Sequence, residues 1–418
     1  MSKSKRLWED QVERIENEWL YGNPLVSDTQ FNDELYAAQM KFLGFDEEEI
    51  AERLSAVKED SGHDEEVCHK LAVVIGRFQP FHRGHLSIIF TAQAKAEKVL
   101  VLVGSTDSAR TPKNPFTFEE RKMMIENCLH PGDENVVTIQ PIVDSPYSDS
   151  DWVDQIVKAA QAFEAPEDIV LVGHKSDISS YYLDLLPFDF VDCGELNDGM
   201  HATGIREMMF AGYGLKTSEK EFKAQSERFL KQVPEGSWLQ IQRFMAGKLF
   251  KPMRDEYDFY EGHKKSWEKA PYPPTFQTVD ALVRAGKNVL LVERANAPGK
   301  GLLALPGGYV DAHETLAKAT IRELREETGI RLTDAELDNA QIKYKTRTFD
   351  YPGRSLRGRM YTQVSEFSLW DDKLPANRKL PYVKAADDAS NCIWMHVDDM
   401  NPTEFFEDHY FIIQEMLK

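Results

Sequence analysis

The sequence predicts an α/β protein of two unlike units, a parallel-sheet domain followed by a mixed α+β domain. Three observations lead there. From residue 71 onward, strand-sized apolar runs alternate with helix-length segments. A glycine-rich turn follows the first of those runs. A second glycine-rich loop, near residue 305, opens into one strong helix dense in glutamate. Alternation of the first kind implies a parallel sheet with right-handed crossovers. In such sheets ligands bind at the carboxyl ends of the strands.

Composition bounds the rest. The 418 residues allow two or three domains, and 42% hydrophobic residues suffice for real cores. Lys+Arg 50 against Asp+Glu 70 leaves a formal charge of −20, which disfavours nucleic acid and anionic membranes. The four cysteines are scattered without a C-x-x-C pair, as expected in a reducing, cytoplasmic setting. The amino terminus has no apolar core of a signal peptide, and no apolar run is long enough to span a membrane.

Element by element, residues 1–70 read as an acidic helical extension, with 8 Lys+Arg against 18 Asp+Glu. Phe31, Leu35, Met40, Leu43, Ile50, Leu54 and Val57 have helical spacing, and Asp46 suits an N-cap. This piece is expected to be an appendage or to serve a homo-oligomer. Residues 71–250 form the first domain. Its strands are expected at 71–76, 98–104, 136–142, 168–173 and 188–192. Its helices are expected at 84–97, 117–129, 151–163, 203–211 and within 219–250. Residues 251–274 mix charge, aromatics and prolines, and their later part reads as a linker. Residues 275–418 form the second domain, opening with two strands joined by a turn at Ala285–Asn288.

The first chemical signal is GRFQPFHRGHL, Gly76 to Leu86, placed between a buried strand and a helix. Backbone N–H groups at a helix start attract phosphate, and glycine permits its close approach. His82 and His85 can donate hydrogen bonds to phosphate oxygens, and phosphoryl-type transfer needs positioning and charge more than a covalent nucleophile. This segment resembles the signature of the archaeal-type nicotinamide mononucleotide (NMN) adenylyltransferases, within the HxGH nucleotidyltransferase superfamily. GSTDSARTPKNPFTFEER (104–121), DSPYSDSDWV (144–153) and HATGIREMMF (201–210) resemble further segments of that family. The resemblance spans roughly 71–215, with Ala202 and Asp149 as departures. It implies a Rossmann-like domain in which the 5′-phosphate of NMN attacks the α-phosphorus of ATP. It also implies Arg77, Lys113 and Arg206 on the triphosphate, Trp152 stacked on the nicotinamide ring, and Gly76, Phe78, Gln79, Asn114 and Thr203 at the substrates. Mg²⁺ would screen the phosphates.

The second signal is LPGGYVDAHETLAKATIRELREETGI, residues 305–330. On a helix, residues three and four apart share a face, so Glu323, Glu326 and Glu327 converge. Crowded carboxylates call for a divalent cation, and hard oxygen ligands suit Mg²⁺, with Mn²⁺ as an alternative. Arg322 can orient them, Gly329 ends the helix, and Gly307–Gly308 shape the preceding loop. The pattern is identified as a Nudix box, which implies an α/β/α sandwich that hydrolyses nucleoside diphosphate derivatives. Glu323, Glu326 and Glu327 match its metal positions, with Glu323 and Glu327 taken as catalytic, and Glu314 and Arg322 match supporting ones. The general base stays open between Glu323 and an acidic residue of a later loop. FDYPGRSLRGRMYTQVSEF (349–367) resembles the Nudix halves of adenylyltransferase fusions, so Arg354, Arg357 and Arg359 are expected at a phosphate. The implied second substrate is ADP-ribose. Other nucleotide substrates for both domains, or a non-hydrolysing Nudix sensor, are the alternatives; the intact set of box glutamates argues against the sensor.

Overall fold

The computed structural model describes residues 69–129, 133–175, 183–194, 201–211, 229–370 and 379–418. The helices expected between Phe31 and Val57, with the Asp46 cap, lie outside the described residues, as does 219–228.

The first domain is built on β1 (His69–Gly76), β2 (Ala96–Val103), β3 (Val137–Pro141), β4 (Ile169–Gly173) and β5 (Asp189–Asp192). Between and after them come α1 (Arg83–Lys95), α2 (Phe118–Glu126), α3 (Asp149–Gln161) and α4 (Ala202–Ala211). The sheet order is β3-β2-β1-β4-β5 and every pair is parallel. Successive side chains point to opposite faces, so Leu71, Val73, Leu100 and Leu102 enter one core while Ala72, Val74, Val99 and Val101 enter the other. Both faces are therefore apolar, which is why these strands read as unbroken hydrophobic runs. The chain leaves β1 toward β2 and β3, then returns on the other side to β4. The crevice at the carboxyl ends of β1 and β4 is the switch point where ligands bind.

Two helices close this domain, α5 (Glu235–Ala246) and α6 (Phe250–Trp267). The sequence suggests a linker over 251–274, but most of that stretch is α6. Pro252 sits in its first turn, where a missing N–H costs nothing. Phe250, Met253 and Tyr260 are buried on one side, and the helix stops before Pro271.

The second domain contains β6 (Thr275–Ala285), β7 (Asn288–Arg294), β8 (Leu303–Ala304), β9 (Gly307–Tyr309), β10 (Gln341–Phe349), β11 (Arg359–Trp370) and β12 (Ala389–His396). Its sheet runs β10-β11-β6-β7-β12, with β8 on β7 and β9 on β6; only β11–β6 is parallel. Helix α7 (Leu316–Thr328) covers one face through Leu324, against Ala281, Val283, Leu290 and Phe367. After the short α8 (Asp334–Ala340), α9 (His409–Leu417) covers the other face through Ile412, Ile413 and Met416. The result is an α/β/α sandwich.

The two domains touch. The ring of Tyr147, from the first domain, meets Phe349 edge-on at 4.9 Å and joins the second domain's core. Among the described residues no helix is long and apolar enough to cross a membrane.

Candidate active sites

At the end of β1 the chain turns sharply. Phe78 has a positive φ, and its ring lies over Gly76 so closely that a Cβ there would come within 2.8 Å. The next turn delivers His82 as the residue before α1 and His85 inside its first turn. Their rings stack at 3.6 Å between centroids, and His85 Nδ1 accepts the His82 backbone N–H at 3.3 Å. That bond places the His85 proton on Nε2 and leaves Nε2–H as a donor. Burial, and then His201, lowers His82 to about 3; burial, and then His82, lowers His85 well below its usual value. Both imidazoles are thus neutral donors near pH 7.

The basic residues gather beside them. Burial and then Arg77 lower the Lys113 ammonium to about 8, with Arg206 adding to the repulsion. Arg206 is itself lowered to about 10 by burial and then Arg77. Three cations that repel one another within a half-buried crevice form a site prepared for a polyanion. Arg206 is held by the Gln79 carbonyl at 2.6 Å and the Thr203 hydroxyl at 3.0 Å. Lys113 sits in a turn in which Thr111 and Asn114 bond to each other through their backbones.

One residue expected at the substrates does something else. Gln79 is 2% exposed, and its amide bonds both the N–H and the carbonyl of Phe116, at 3.0 and 2.8 Å. It clamps the histidine loop to the Lys113 loop rather than pointing at a ligand. Trp152, in the first turn of α3, is half-buried: it packs against the edge of the core cluster that contains Leu71 and Val73, with part of its ring left accessible. Arg121 escaped sequence reasoning. It is 1% exposed and donates to the carbonyls of Arg77, Gly104, Ser105 and Thr117, fixing the loops after β1 and β2. Its only sequence signal was its place in FTFEER.

In the second domain α7 carries the glutamates. Thr315 caps its start, accepting the Lys318 N–H, and Gly329 ends it in the left-handed conformation at φ 54°. Arg322 is the hub: it binds Glu314 at 2.6 Å, Glu323 at 2.8 Å, Glu326 at 2.9 Å and the Tyr309 carbonyl at 3.1 Å. Gly308 lies against the Glu323 carboxylate; a Cβ there would stand 2.6 Å from its oxygen, which is why the loop needs glycine. Glu327 accepts the Gly307 N–H at 3.0 Å and is pushed up to about 8, by burial first and then by Glu323 and Asp280. Burial also raises Glu323, with Glu326 and Asp387 adding to it.

Among the described residues no three carboxylates or imidazoles already form a cage. Arg322 holds two of the glutamates apart from the third. The donor set nevertheless fits a divalent cation: hard carboxylate oxygens on one helix face, with buried Glu327 and half-buried Glu323 both destabilised as anions. The loop 384–386 docks on the end of α7 through Lys384 N–H to Thr328 and Ala386 N–H to Glu327, which brings Asp387 toward Glu323. Asp387 is thus a later-loop acid close enough to act on Glu323.

Beside this cluster opens a cleft of about 550 Å³, lined by Phe259, His263 and Trp267 of α6, Phe276 of β6, Tyr309 of β9, and Arg294 and Arg357. The three expected arginines separate here. Arg357 lines the cleft and pairs with Glu407 at 3.1 Å. Arg359 lies at the surface on the Asp350 carbonyl. Arg354 is 6% exposed and forks onto Asp408 at 3.0 and 2.9 Å, so it is neutralised inside the fold and not free for a phosphate. The aromatic wall from α6 was missed because that stretch reads as a linker.

Among solved structures, a bifunctional NMN adenylyltransferase/ADP ribose pyrophosphatase from Francisella tularensis, complexed with AMP and a manganese ion, is 35% identical. The match covers 84% of this chain and 98% of that one, with a TM-score of 0.71. The chain belongs to this bifunctional family. A second structure of the Francisella protein matches over the same shares at 34% identity and a TM-score of 0.73. The cytidylyltransferase-like family model matches residues 73–184 and the NUDIX domain model residues 274–416, so each half of the bifunctional chain is matched separately. A nicotinamide/nicotinic acid mononucleotide adenylyltransferase from Acinetobacter baylyi is 34% identical over 187 residues, 44% of this chain and 92% of that protein. An ADP-ribose pyrophosphatase from Methanocaldococcus jannaschii is 29% identical over 140 residues, 34% of this chain and 72% of that protein.

Proposed function

We propose that this chain joins ATP and NMN to give NAD and pyrophosphate in its first domain, and cuts ADP-ribose to AMP and ribose 5-phosphate in its second. The observation that carries the reading is the electrostatic contrast of the two sites. One gathers cations and neutral imidazole donors, and the other gathers destabilised carboxylates beside an aromatic cleft.

In the first reaction an oxygen of the NMN phosphate attacks the α-phosphorus of ATP, and the bond to the β-phosphate oxygen breaks. Arg77, Lys113 and Arg206 take up the charge of the departing pyrophosphate. His85 Nε2–H, and His82 beside it, donate to the oxygens on which charge builds. Arg121 and Gln79 hold these donors still. Trp152 supplies a face for the pyridinium ring.

In the second reaction Glu323, Glu326 and Glu327 would hold Mg²⁺ or Mn²⁺, which supplies Lewis acidity at the diphosphate when bound. Arg322 orients Glu323 and Glu326, and Asp387 or Glu323 accepts the proton of the attacking water. The cleft between α6 and the sheet is sized for a nucleoside, and its aromatic walls suit stacking on adenine. The partners are small anionic nucleotides, and the net charge of −20 supports no nucleic acid. The free thiols of Cys128, Cys193 and Cys392 support a cytoplasmic setting. A product assay of the purified protein with Mg²⁺ tests the reading: NMN plus ATP should yield NAD, and ADP-ribose alone should yield AMP. Absence of either product removes that half of it.

A further inference from the structure

The loop joining β10 to β11 belongs to the second domain, yet its tip reaches the first site. Lys113 Nζ donates to the Gly353 carbonyl at 3.1 Å. The tip is a tight turn closed by the Arg354 N–H on the Tyr351 carbonyl at 3.1 Å. A buried anchor fixes it from behind. Arg354 forks onto Asp408, and the same carboxylate accepts the hydroxyl of Tyr147 from the first domain. The Tyr147 ring packs edge-on against Phe349 and Tyr351, one on either side of Asp350. The Tyr351 phenol also feels Asp144, Arg77 and Asp149 of the first domain. Arg357, further along the same loop, lines the hydrolytic cleft, but the turn residues Gly353 and Arg354 do not.

We propose that the Tyr351–Arg354 turn of the second domain is a positioning element of the adenylyl-transfer site: the Gly353 carbonyl holds the Lys113 ammonium in place for the triphosphate. This rests on the adenylyl-transfer reading above. A lysine carries its charge on a flexible four-carbon stem, and fixing that stem on binding costs entropy. A carbonyl that engages one of its three N–H donors removes that cost beforehand and leaves two for phosphate oxygens. The buried Tyr147–Asp408–Arg354 anchor gives the carbonyl a fixed address across the domain boundary.

The decisive variant is Gly353→Ala, because a Cβ there would stand 3.2 Å from Lys113 Nζ and 3.1 Å from the Tyr351 ring. With the full chain, KM for ATP in NAD formation should rise about three- to tenfold with kcat little changed, and ADP-ribose hydrolysis should stay at the wild-type rate. In a Lys113→Ala background the same substitution should add nothing, because the group it displaces is gone. Tyr147→Phe keeps the ring and removes the anchoring hydroxyl; it should give a smaller rise that also vanishes in the Lys113→Ala background, and it decides the matter if Gly353→Ala does not fold. An effect that persists without Lys113, an equal loss of both activities, or no change in KM would overturn the proposal. If wild type makes no NAD, or Lys113→Ala leaves ATP kinetics intact, the underlying reading of the site fails instead.

Discussion

In the first domain Arg77, Lys113 and Arg206 crowd one another. In the second domain Glu323, Glu326 and Glu327 do. In the proposed reactions both sites face a diphosphate, and each accepts electrostatic strain in the free protein that the ligands would relieve. In the proposed reaction the cation trio is relieved by the substrate itself, so its members can come from separate elements, with Arg206 and Lys113 each held by a carbonyl. The carboxylate trio repels the substrate and is relieved only by a metal between them, so its members sit at fixed spacing on one helix. Carriers of charge that meet the ligand directly can be dispersed in sequence. Ligands to a common ion are more easily kept together.

The largest expected effect tests whether the two sites are separate. Glu326→Gln should lower AMP release from ADP-ribose by a factor on the order of a thousand, through loss of a metal ligand, while NAD formation holds. Parallel loss of both activities with the fold intact, judged by circular dichroism, would end the contrast. Next in size is the converse. His85→Ala should cut NAD formation by about a hundredfold, the usual cost of removing one preorganised donor, with hydrolysis unchanged. Trp267→Ala should raise KM for ADP-ribose about tenfold if α6 supplies a stacking face, and NMN kinetics should not move. The smallest effect concerns pH. In the proposed reaction Lys113 binds phosphate when protonated, and burial, followed by Arg77, lowers its ammonium to about 8. kcat/KM for ATP should therefore hold below that value and fall as pH rises through it. Lys113→Arg should shift the fall upward, and a profile identical to wild type would remove Lys113 from the ATP site.

Much of this was legible. The strands of the first domain announce themselves because both sheet faces are buried, and each expected strand of that domain appears within two residues of its place. The glutamate helix was legible because its chemistry depends on spacing of three and four residues. The role of Gln79 was not, since its partner Phe116 lies 37 positions away and the choice between ligand and backbone is made by the fold. Arg354 was misplaced for the same reason. A basic run near a site looks like a phosphate clamp until a buried carboxylate, Asp408, is found to neutralise one member. Residues 250–267 misled because proline and mixed charge suggest a linker, although one face of the helix is apolar.

By itself, then, the sequence determined the two strand–loop–helix chemistries, because helix spacing and the entry from a buried strand are local properties of the chain. Only the tertiary structure decided which side chains face ligand and which are used up as internal ties. It also brought an aromatic wall from α6 to the second site and the Gly353 carbonyl to the first. Those choices depend on partners tens to hundreds of positions apart, and burial leaves each such charge or amide only the partners that packing brings within hydrogen-bond reach.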